Sequence, residues 1–271
     1  MTSFLSGLLL ITLTNLAPIQ TSDQSFVSGF AAFSEGNFEK SITIWERLAL
    51  QGEPRAQYAI GVCYELGQGV TQSYPLAAHW YQQATEQGFA MAKNNLGMLY
   101  EEGLGVQKSL EKAVSLYKEA AQQELPSAQY NLALMYYQGQ GTEKNFKEAS
   151  HWLQRSASQG FAFAQYNLGV LYQNGQGVEQ DFAQAAKWYI EAIKWGAPKA
   201  AITLKELLED KELEIATNLV TVHRQPDTTA DIVTQLLVGE TVYALKEVDG
   251  WIAILLLDEK TIGWIEGSQI N

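Results

Sequence analysis

The chain has 271 residues, of which 46% are hydrophobic, and a formal net charge of −12 at pH 7. This composition is typical of a globular protein, and the length allows two domains. Because no run of Lys or Arg opposes the negative charge, we predict no binding to nucleic acid or anionic lipid. Cys63 is the single cysteine, which excludes an intramolecular disulfide and a thiolate metal cluster, and we predict that it is a small buried hydrophobe.

The N-terminal segment contains an uncharged apolar run, "FLSGLLLITLTNLA", at residues 4–17. It is short for a membrane span but suits the apolar region of a secretory signal. No basic residue precedes it, and Asn15 disfavours cleavage after Ala17. Besides a cleaved signal peptide, the segment could therefore be an uncleaved anchor or a buried N-terminal helix. We predict that residues 1–22 are a signal peptide or N-terminal anchor of an exported, periplasmic or envelope-associated protein, with membrane contact only through this segment if it is uncleaved.

A glycine-rich stretch occurs four times at intervals of 36 residues, first as "QYAIGVCYELGQGV" from Gln57 and last as "QYNLGVLYQNGQGV" from Gln165. In each copy an Ala, a large and small apolar pair and a Tyr follow one another at spacings of four and eight, which predicts one buried stripe on a helix A. Its opening residues are Ala56, Ala92, Ala128 and Ala164. The glycine pair that follows predicts the end of helix A rather than a phosphate-binding loop.

A second helix, helix B, follows each glycine turn. A small polar residue stands where it would cap this helix, and a second apolar stripe follows. The predicted caps are Ser73, Ser109, Asn145 and Asp181. One helical hairpin of this size cannot bury enough apolar area to fold alone, so the hairpins must stack into an α-solenoid.

The repeat from Ala164, "AQYNLGVLYQNGQGVEQDFAQAAKWYIEAIKWG", resembles the Sel-1-like repeat, a relative of the tetratricopeptide repeat. Four such repeats would occupy residues 54–197. Residues 25–53 resemble one tetratricopeptide unit that caps the array, and residues 198–213 would form a C-terminal capping helix. The resemblance implies an interaction scaffold that presents a concave face.

Residues 214–271 show a different pattern, rich in Val, Ile and Thr and interrupted by turn residues such as Asp249-Gly250. The pattern predicts five or so short strands. The segment resembles the bacterial Src-homology-3-type domain that is common in envelope proteins. The predicted fold is thus mainly α, a solenoid followed by a small all-β barrel. Trp251 and Trp264 are either a ligand surface of this barrel or part of its core.

Patterns that could indicate catalysis or metal binding have structural explanations. Ser109 and Lys112 fit the S-x-x-K motif of penicillin-recognising enzymes, but Ser109 is also a predicted cap, and the chain has no S-D-N or K-T-G partner motif. His79 and His151 occupy the same position two repeats apart, too far to share one ion. We predict no catalytic residue, metal or cofactor, and keep a hydrolase of β-lactamase type as a less favoured alternative.

A second face of helix A stays free of the buried stripe, and we predict that it binds a partner protein or an extended peptide. Tyrosines would supply apolar contact, and asparagines both donors and acceptors. The predicted residues are Tyr58, Asn94, Asn95, Met98, Tyr130, Asn131, Tyr166 and Asn167. As alternatives, the asparagines bond a neighbouring helix, or the barrel binds peptidoglycan as an accessory protein of the cell wall. The identity of the partner is not encoded in any motif.

Overall fold

The computed structural model describes residues 21–209, 211–215, 219–256 and 261–269, and its contacts divide the chain into two compact units, Met1–Leu125 and Pro126–Asn271. The described helices of the first unit are α1 (Thr21–Ser34), α2 (Phe38–Leu50), α3 (Pro54–Leu66), α4 (Tyr74–Glu86), α5 (Ala90–Glu102) and α6 (Leu110–Ala121). Those of the second unit are α7 (Pro126–Gln138), α8 (Phe146–Ser158), α9 (Ala162–Asn174), α10 (Phe182–Lys194) and α11 (Pro198–Leu208). The predicted helices A are α3, α5, α7 and α9, and the helices B are α4, α6, α8 and α10.

Helices α1 and α2 overlap the segment predicted as the N-terminal capping unit, and α11 lies in the segment predicted as the capping helix. None of the described helices has the length and apolarity needed to cross a bilayer. The predicted signal segment at residues 4–17 lies outside the described residues.

The predicted helix caps are confirmed in all four hairpins. The side chains of Ser73, Ser109, Asn145 and Asp181 accept hydrogen bonds from backbone N–H groups of the first turn of helix B. Helix A ends at a left-handed glycine, as at Gly67, where φ is 68°. Glu124 adopts a similar left-handed φ of 63° between α6 and α7, where the other repeats have glycine. A residue with a Cβ is strained in this conformation, so this turn is the less favourable one.

Each hairpin is closed by a contact between a small residue on helix A and a large one on helix B. A Cβ at Gly97 would lie 2.7 Å from the Tyr117 ring, and glycine faces tyrosine in the same way at Gly61 and Gly169. In the third repeat the equivalent residues are Ala133 and Leu153, both buried. The small residue therefore matches the size of its partner across the hairpin.

The buried tyrosine of helix B also makes a polar contact with the end of helix A. Tyr117 donates its hydroxyl proton to Glu101 at 2.6 Å, and Tyr189 donates to Gln173 at 2.6 Å. Tyr81 donates to Glu65 in the same way. Burial raises the pKa of the Glu65 carboxyl, and the hydrogen bond from Tyr81 acts in the opposite direction. Three of the four hairpins thus combine apolar packing with one directional hydrogen bond, and the third, which has Leu153 at this position, does not.

The C-terminal residues form an antiparallel sheet in the order β1-β4-β5-β6-β2-β3. The strands are β1 (Glu212–Glu214), β2 (Val220–His223), β3 (Ile232–Leu236), β4 (Thr241–Val248), β5 (Trp251–Leu256) and β6 (Thr261–Glu266). Six strands are described where five or so were predicted, the additional one being the short β1. The tight turn predicted at Asp249-Gly250 is confirmed, because both residues have positive φ, 50° and 80°.

Strand β5 is buried on both faces. Ile254 and Leu256 point into the core of the sheet domain, whereas Ala253 and Leu255 belong to a hydrophobic cluster formed with α10 and α11. Strands buried on both faces are apolar throughout, which explains the continuous run "IAILL". The barrel is therefore packed onto the last helices of the same unit.

An ion pair joins the barrel to the start of α10. Lys246 Nζ lies 2.6 Å from Asp181 Oδ2, while Oδ1 of the same carboxylate caps the helix. Asp181 thus has two roles, as cap and as ion-pair partner.

Candidate partner-binding face

The first unit buries two of the predicted binding residues, Tyr58 and Asn94, each only 6% exposed. The Tyr58 ring lies between Tyr81, 5.7 Å away, and Phe89, 5.4 Å away. Burial raises the pKa of Tyr58 to about 12. In this structure Tyr58 therefore contributes to the core and not to an exposed face.

The polar groups beside Tyr58 bond within the same unit. Asn94 donates to Asn95 Oδ1 at 3.3 Å and contacts the Met98 sulfur at 3.7 Å. Asn95 donates to the Tyr81 hydroxyl at 3.2 Å, on helix B of the preceding hairpin. For Asn95 this geometry fits the alternative interpretation, a bond to a neighbouring helix. Met98 is exposed.

The second unit leaves the equivalent tyrosines half-buried. Tyr130 has Phe161 at 5.3 Å and Phe163 at 6.3 Å as ring neighbours, and its hydroxyl accepts a hydrogen bond from Asn167 at 3.3 Å. Burial raises the pKa of Tyr130, and the hydrogen bond from Asn167 lowers it. Phe163 is 52% exposed. An exposed ring beside two half-buried ones forms an apolar surface that reaches solvent.

Tyr166 continues this surface toward α11. Its hydroxyl lies 3.4 Å from Thr203 Oγ1, and the Lys199 ammonium group lies 5.4 Å from the centre of its ring. Ile202, at the next equivalent position, is 62% exposed. We call Tyr130, Phe161, Phe163 and Tyr166 the aromatic face.

The number of aromatic rings that pack on the tyrosine at this repeat position decides whether it is buried. Tyr58 has both a phenylalanine from the following turn and a tyrosine from helix B. In the third repeat helix B supplies Leu153 instead of tyrosine, and in the fourth the following turn supplies Ala197 instead of phenylalanine. Tyr130 and Tyr166 therefore each lack one covering ring.

A groove of about 160 Å³ adjoins the aromatic face. Its lining residues are Leu134, Tyr137, Gln138, Leu153, Asn167, Val170 and Leu171. Most of the lining is apolar, whereas Gln138 and the amide of Asn167 supply polar groups. A groove of this kind suits one or two apolar side chains of an extended segment. Asn131, on the same helix as Leu134, is half-buried.

Sequence analysis missed Phe163, Lys199 and Ile202 as candidate binding residues. Phe163 and Lys199 stand at the repeat position that holds Arg55, Met91 and Ser127 in the other units. This position is not part of either apolar stripe of the repeat, so a phenylalanine there could have indicated an exposed aromatic ring.

The two tryptophans of the barrel lie in different surroundings. Trp264 packs against the hydrophobic cluster of α10 and α11. Trp251 makes an edge contact with His223 at 5.5 Å. Trp264 is therefore engaged by helices of the same unit, whereas Trp251 lies outside that cluster.

The side chains considered for catalysis or metal binding have structural surroundings. Ser109 Oγ accepts from the Lys112 backbone N–H at 3.3 Å, and the Lys112 ammonium group lies 4.9 Å from the centre of the Tyr100 ring. Cys63 is fully buried, as predicted, and burial raises the pKa of its thiol to about 12. The described residues contain no group of three His, Cys, Asp or Glu that could hold a metal ion.

Comparison with protein families identifies the class of the repeats. Residues 54–89, 90–125, 126–161 and 162–194 each match the Sel1 repeat. These matches span more than half of the chain, so the protein belongs to the Sel1 repeat family. Residues 222–270 match the bacterial dipeptidyl-peptidase Sh3 domain.

Solved structures agree with this assignment. A Sel1 repeat protein from Oxalobacter formigenes is 35% identical, with a TM-score of 0.61, over 66% of this chain and 74% of its own. The protective antigen c5321 of uropathogenic Escherichia coli strains, which displays an SLR fold, is 29% identical with a TM-score of 0.65. That alignment covers 70% of this chain but 41% of the antigen. A search of curated proteins gave no significant match. The repeats and their neighbours suggest a scaffold for protein–protein interaction.

Proposed function

We propose that the protein is a non-enzymatic interaction scaffold of the bacterial cell envelope, and that the aromatic face binds an extended segment of a partner protein. The observation that supports this proposal is the partial exposure of Tyr130 on α7 and of Phe163 and Tyr166 on α9, two helices A of one unit. Tyr130 and Tyr166, which are partly exposed and held by hydrogen bonds, lose little conformational freedom on binding, which makes them effective contact residues. A segment of about ten residues spans at most roughly 33 to 36 Å, enough to cross neighbouring helices A.

Site-specific photo-crosslinking tests this proposal. A benzoylphenylalanine in place of Phe163 should crosslink to a partner protein in living cells, and the crosslink should disappear when Tyr130→Ala and Tyr166→Ala are added. The control carries the same photo-reactive residue in place of His151, an exposed residue of helix B. Equal crosslinking at both positions, or crosslinking that survives the double tyrosine variant, would place binding elsewhere.

A second candidate function assigns binding to the barrel, which would hold wall peptides of peptidoglycan. The match to a bacterial dipeptidyl-peptidase Sh3 domain and the partly exposed edge contact of Trp251 with His223 favour it. The full chain should then sediment with purified sacculi. Trp251→Ala should abolish this co-sedimentation, whereas the variant with Tyr130→Ala and Tyr166→Ala should still sediment with them.

Export is part of the proposal and rests on the apolar run at residues 4–17. A fusion of residues 1–30 to a reporter that is active only outside the cytoplasm should give signal. Retention of the reporter in the cytoplasm would contradict it.

A further inference from the structure

A pair of glutamine side chains joins the two helices of a hairpin in both units. Gln87 at the end of α4 donates to Gln57 Oε1 on α3 at 2.7 Å, and Gln159 at the end of α8 donates to Gln129 Oε1 on α7 at 2.8 Å. We call this pair the glutamine clamp. It satisfies a buried acceptor, because Gln57 and Gln129 are at most 4% exposed.

The fourth repeat lacks the donor of this clamp. Gln165 is 3% exposed and donates to the Ala157 carbonyl at 3.1 Å, as Gln57 donates to Ala49. The position equivalent to the donors Gln87 and Gln159 is 195, where the chain has Trp195 in place of glutamine. Among the described residues the buried Oε1 atom of Gln165 has no donor.

Trp195 is unfavourable for the folded chain in two ways. It leaves the Gln165 acceptor without its partner, and 66% of its own surface is exposed to solvent. A buried acceptor without a donor destabilises the folded state, and an indole that stays exposed contributes little hydrophobic stabilisation to it. A residue that breaks a local rule twice is more readily explained by binding than by stability.

Trp195 lies beside the aromatic face. A Cβ at Gly160 would be 3.6 Å from its ring, and the next residue along the chain is Phe161, whose ring lies 5.9 Å from that of Phe163. The apolar surface therefore continues from Tyr130 to the exposed indole. We call the aromatic face together with Trp195 the aromatic strip.

The segments that form most of this strip contain no acidic residue, although the chain carries a net charge of −12. Residues 149–178 and 192–205 contain no Asp or Glu, and they include Arg155, Lys194 and Lys199. Lys199 is exposed, and among the described residues it forms no ion pair. The first acid beyond these segments on α11 is Glu206, near the end of that helix. Most of the strip is thus formed by segments without acidic residues on an acidic protein, and the nearby Glu191 is paired with Lys194.

Two helix N-termini open onto the same end of the strip. Helix α9 begins after Phe161 and α11 after Ala197, and neither N-cap residue supplies a side-chain hydrogen bond. The helices B, in contrast, are capped by polar side chains. Uncapped backbone N–H groups and the helix dipole both favour a carboxylate at this position.

We propose that the aromatic strip recognises an acidic, apolar segment of a partner protein, in which aromatic or aliphatic side chains stand next to carboxylates. This inference rests on the proposed function and specifies the chemistry of its partner. The apolar side chains cover Trp195 and Phe163, and a carboxylate pairs with Lys199 at the N-termini of α9 and α11. Lys199 breaks no existing ion pair when it does so, and because it is exposed its attraction to a carboxylate is screened by salt.

A random peptide library displayed on phage tests the chemistry with the full chain. We expect enrichment of sequences with Asp or Glu beside Phe, Leu or Trp, and a synthetic peptide of the enriched sequence should bind less tightly as salt rises. Lys199→Glu should lower the affinity for that peptide by about tenfold or more. Lys205→Glu is the matched control, because it changes the net charge equally but lies on another side of α11, and it should have a much smaller effect.

Trp195→Gln separates binding from stability. It restores the glutamine clamp, so we expect a higher melting temperature together with binding weakened by about tenfold or more. Gln87→Trp breaks the clamp in the first unit, and it should lower the melting temperature without changing binding. Loss of binding together with a lower melting temperature in Trp195→Gln would indicate a structural role and overturn the inference.

The outcomes also separate this inference from the proposed function. Two results would overturn the acidic partner but retain the aromatic face as a binding surface. The first is enrichment of basic or neutral sequences. The second is peptide binding that Lys199→Glu leaves unchanged but that Tyr130→Ala with Tyr166→Ala abolishes. Peptide binding unchanged by all of these variants would reject the face itself. Concentration-dependent self-association that Trp195→Gln removes would identify a second copy as the occupant, and would also overturn the inference.

Discussion

In the unit Met1–Leu125, Tyr58 lies between two aromatic rings, whereas in the unit Pro126–Asn271 the equivalent Tyr130 and Tyr166 each lack one of them. The glycine and tyrosine contact inside the hairpins is nevertheless shared by both units. The comparison shows that contacts within a hairpin are common to the repeats, while the residues at its surface differ. In a stacked array such surface positions can change without loss of the fold.

The largest expected effect concerns the layer that only the second unit has, the barrel packed on α10 and α11. Leu255 is fully buried in the shared cluster, and Leu255→Ala should cost about 2 to 5 kcal/mol. Hydrogen exchange should then speed up in α10 as well as in β4 to β6. Ile254→Ala, on the inner face of the same strand, is the control and should act first on the strands. Exchange in α10 that stays unchanged in Leu255→Ala would mean that the barrel is an independent domain.

The contact between glycine and tyrosine occurs in both units, so enlarging the glycine should lower stability by a similar amount in each. Gly97→Val and Gly169→Val each place a branched side chain against a buried tyrosine ring, and each should cost about 1 to 3 kcal/mol in a thermal melt. The third repeat suggests a compensating pair, since it has alanine facing leucine. Adding Tyr117→Leu to Gly97→Ala should therefore recover part of the stability that Gly97→Ala loses. An unchanged melting temperature in Gly97→Val would show that the hairpins close through other contacts.

The smallest expected effect comes from exchanging the acceptors of the helix B tyrosines, Glu65 in the first unit and Gln173 in the second. Burial raises the folded pKa of Glu65, so the folded state keeps its proton after the unfolded chain has released it. Stability therefore falls as pH rises from the unfolded value of about 4.3 through the folded pKa. Glu65→Gln should remove this fall and raise the melting temperature near neutral pH. Gln173→Glu should introduce the same fall, and identical pH profiles for the two variants and the wild type would reject the comparison.

Local sequence determined the repeats, the helix caps, the turns and the change from helices to strands. Ser73, Gly67 and the Asp249-Gly250 turn act through the backbone of their own neighbourhood, so residue type and spacing sufficed to predict them. The Sel1 family and the all-β C-terminal domain followed from the same patterns.

Tertiary structure alone decided which residues of the predicted binding face reach solvent. Tyr58 is buried because Tyr81 and Phe89, from two other helices or turns, cover it. Trp264 is engaged by α10 and α11, which precede it by more than fifty residues. Periodicity assigns a residue to a face of its helix or strand, but burial depends on the side chains that distant segments bring to that face. For the same reason the burial of the unsatisfied Gln165 oxygen depends on how the hairpins pack and does not follow from the spacing of the repeat.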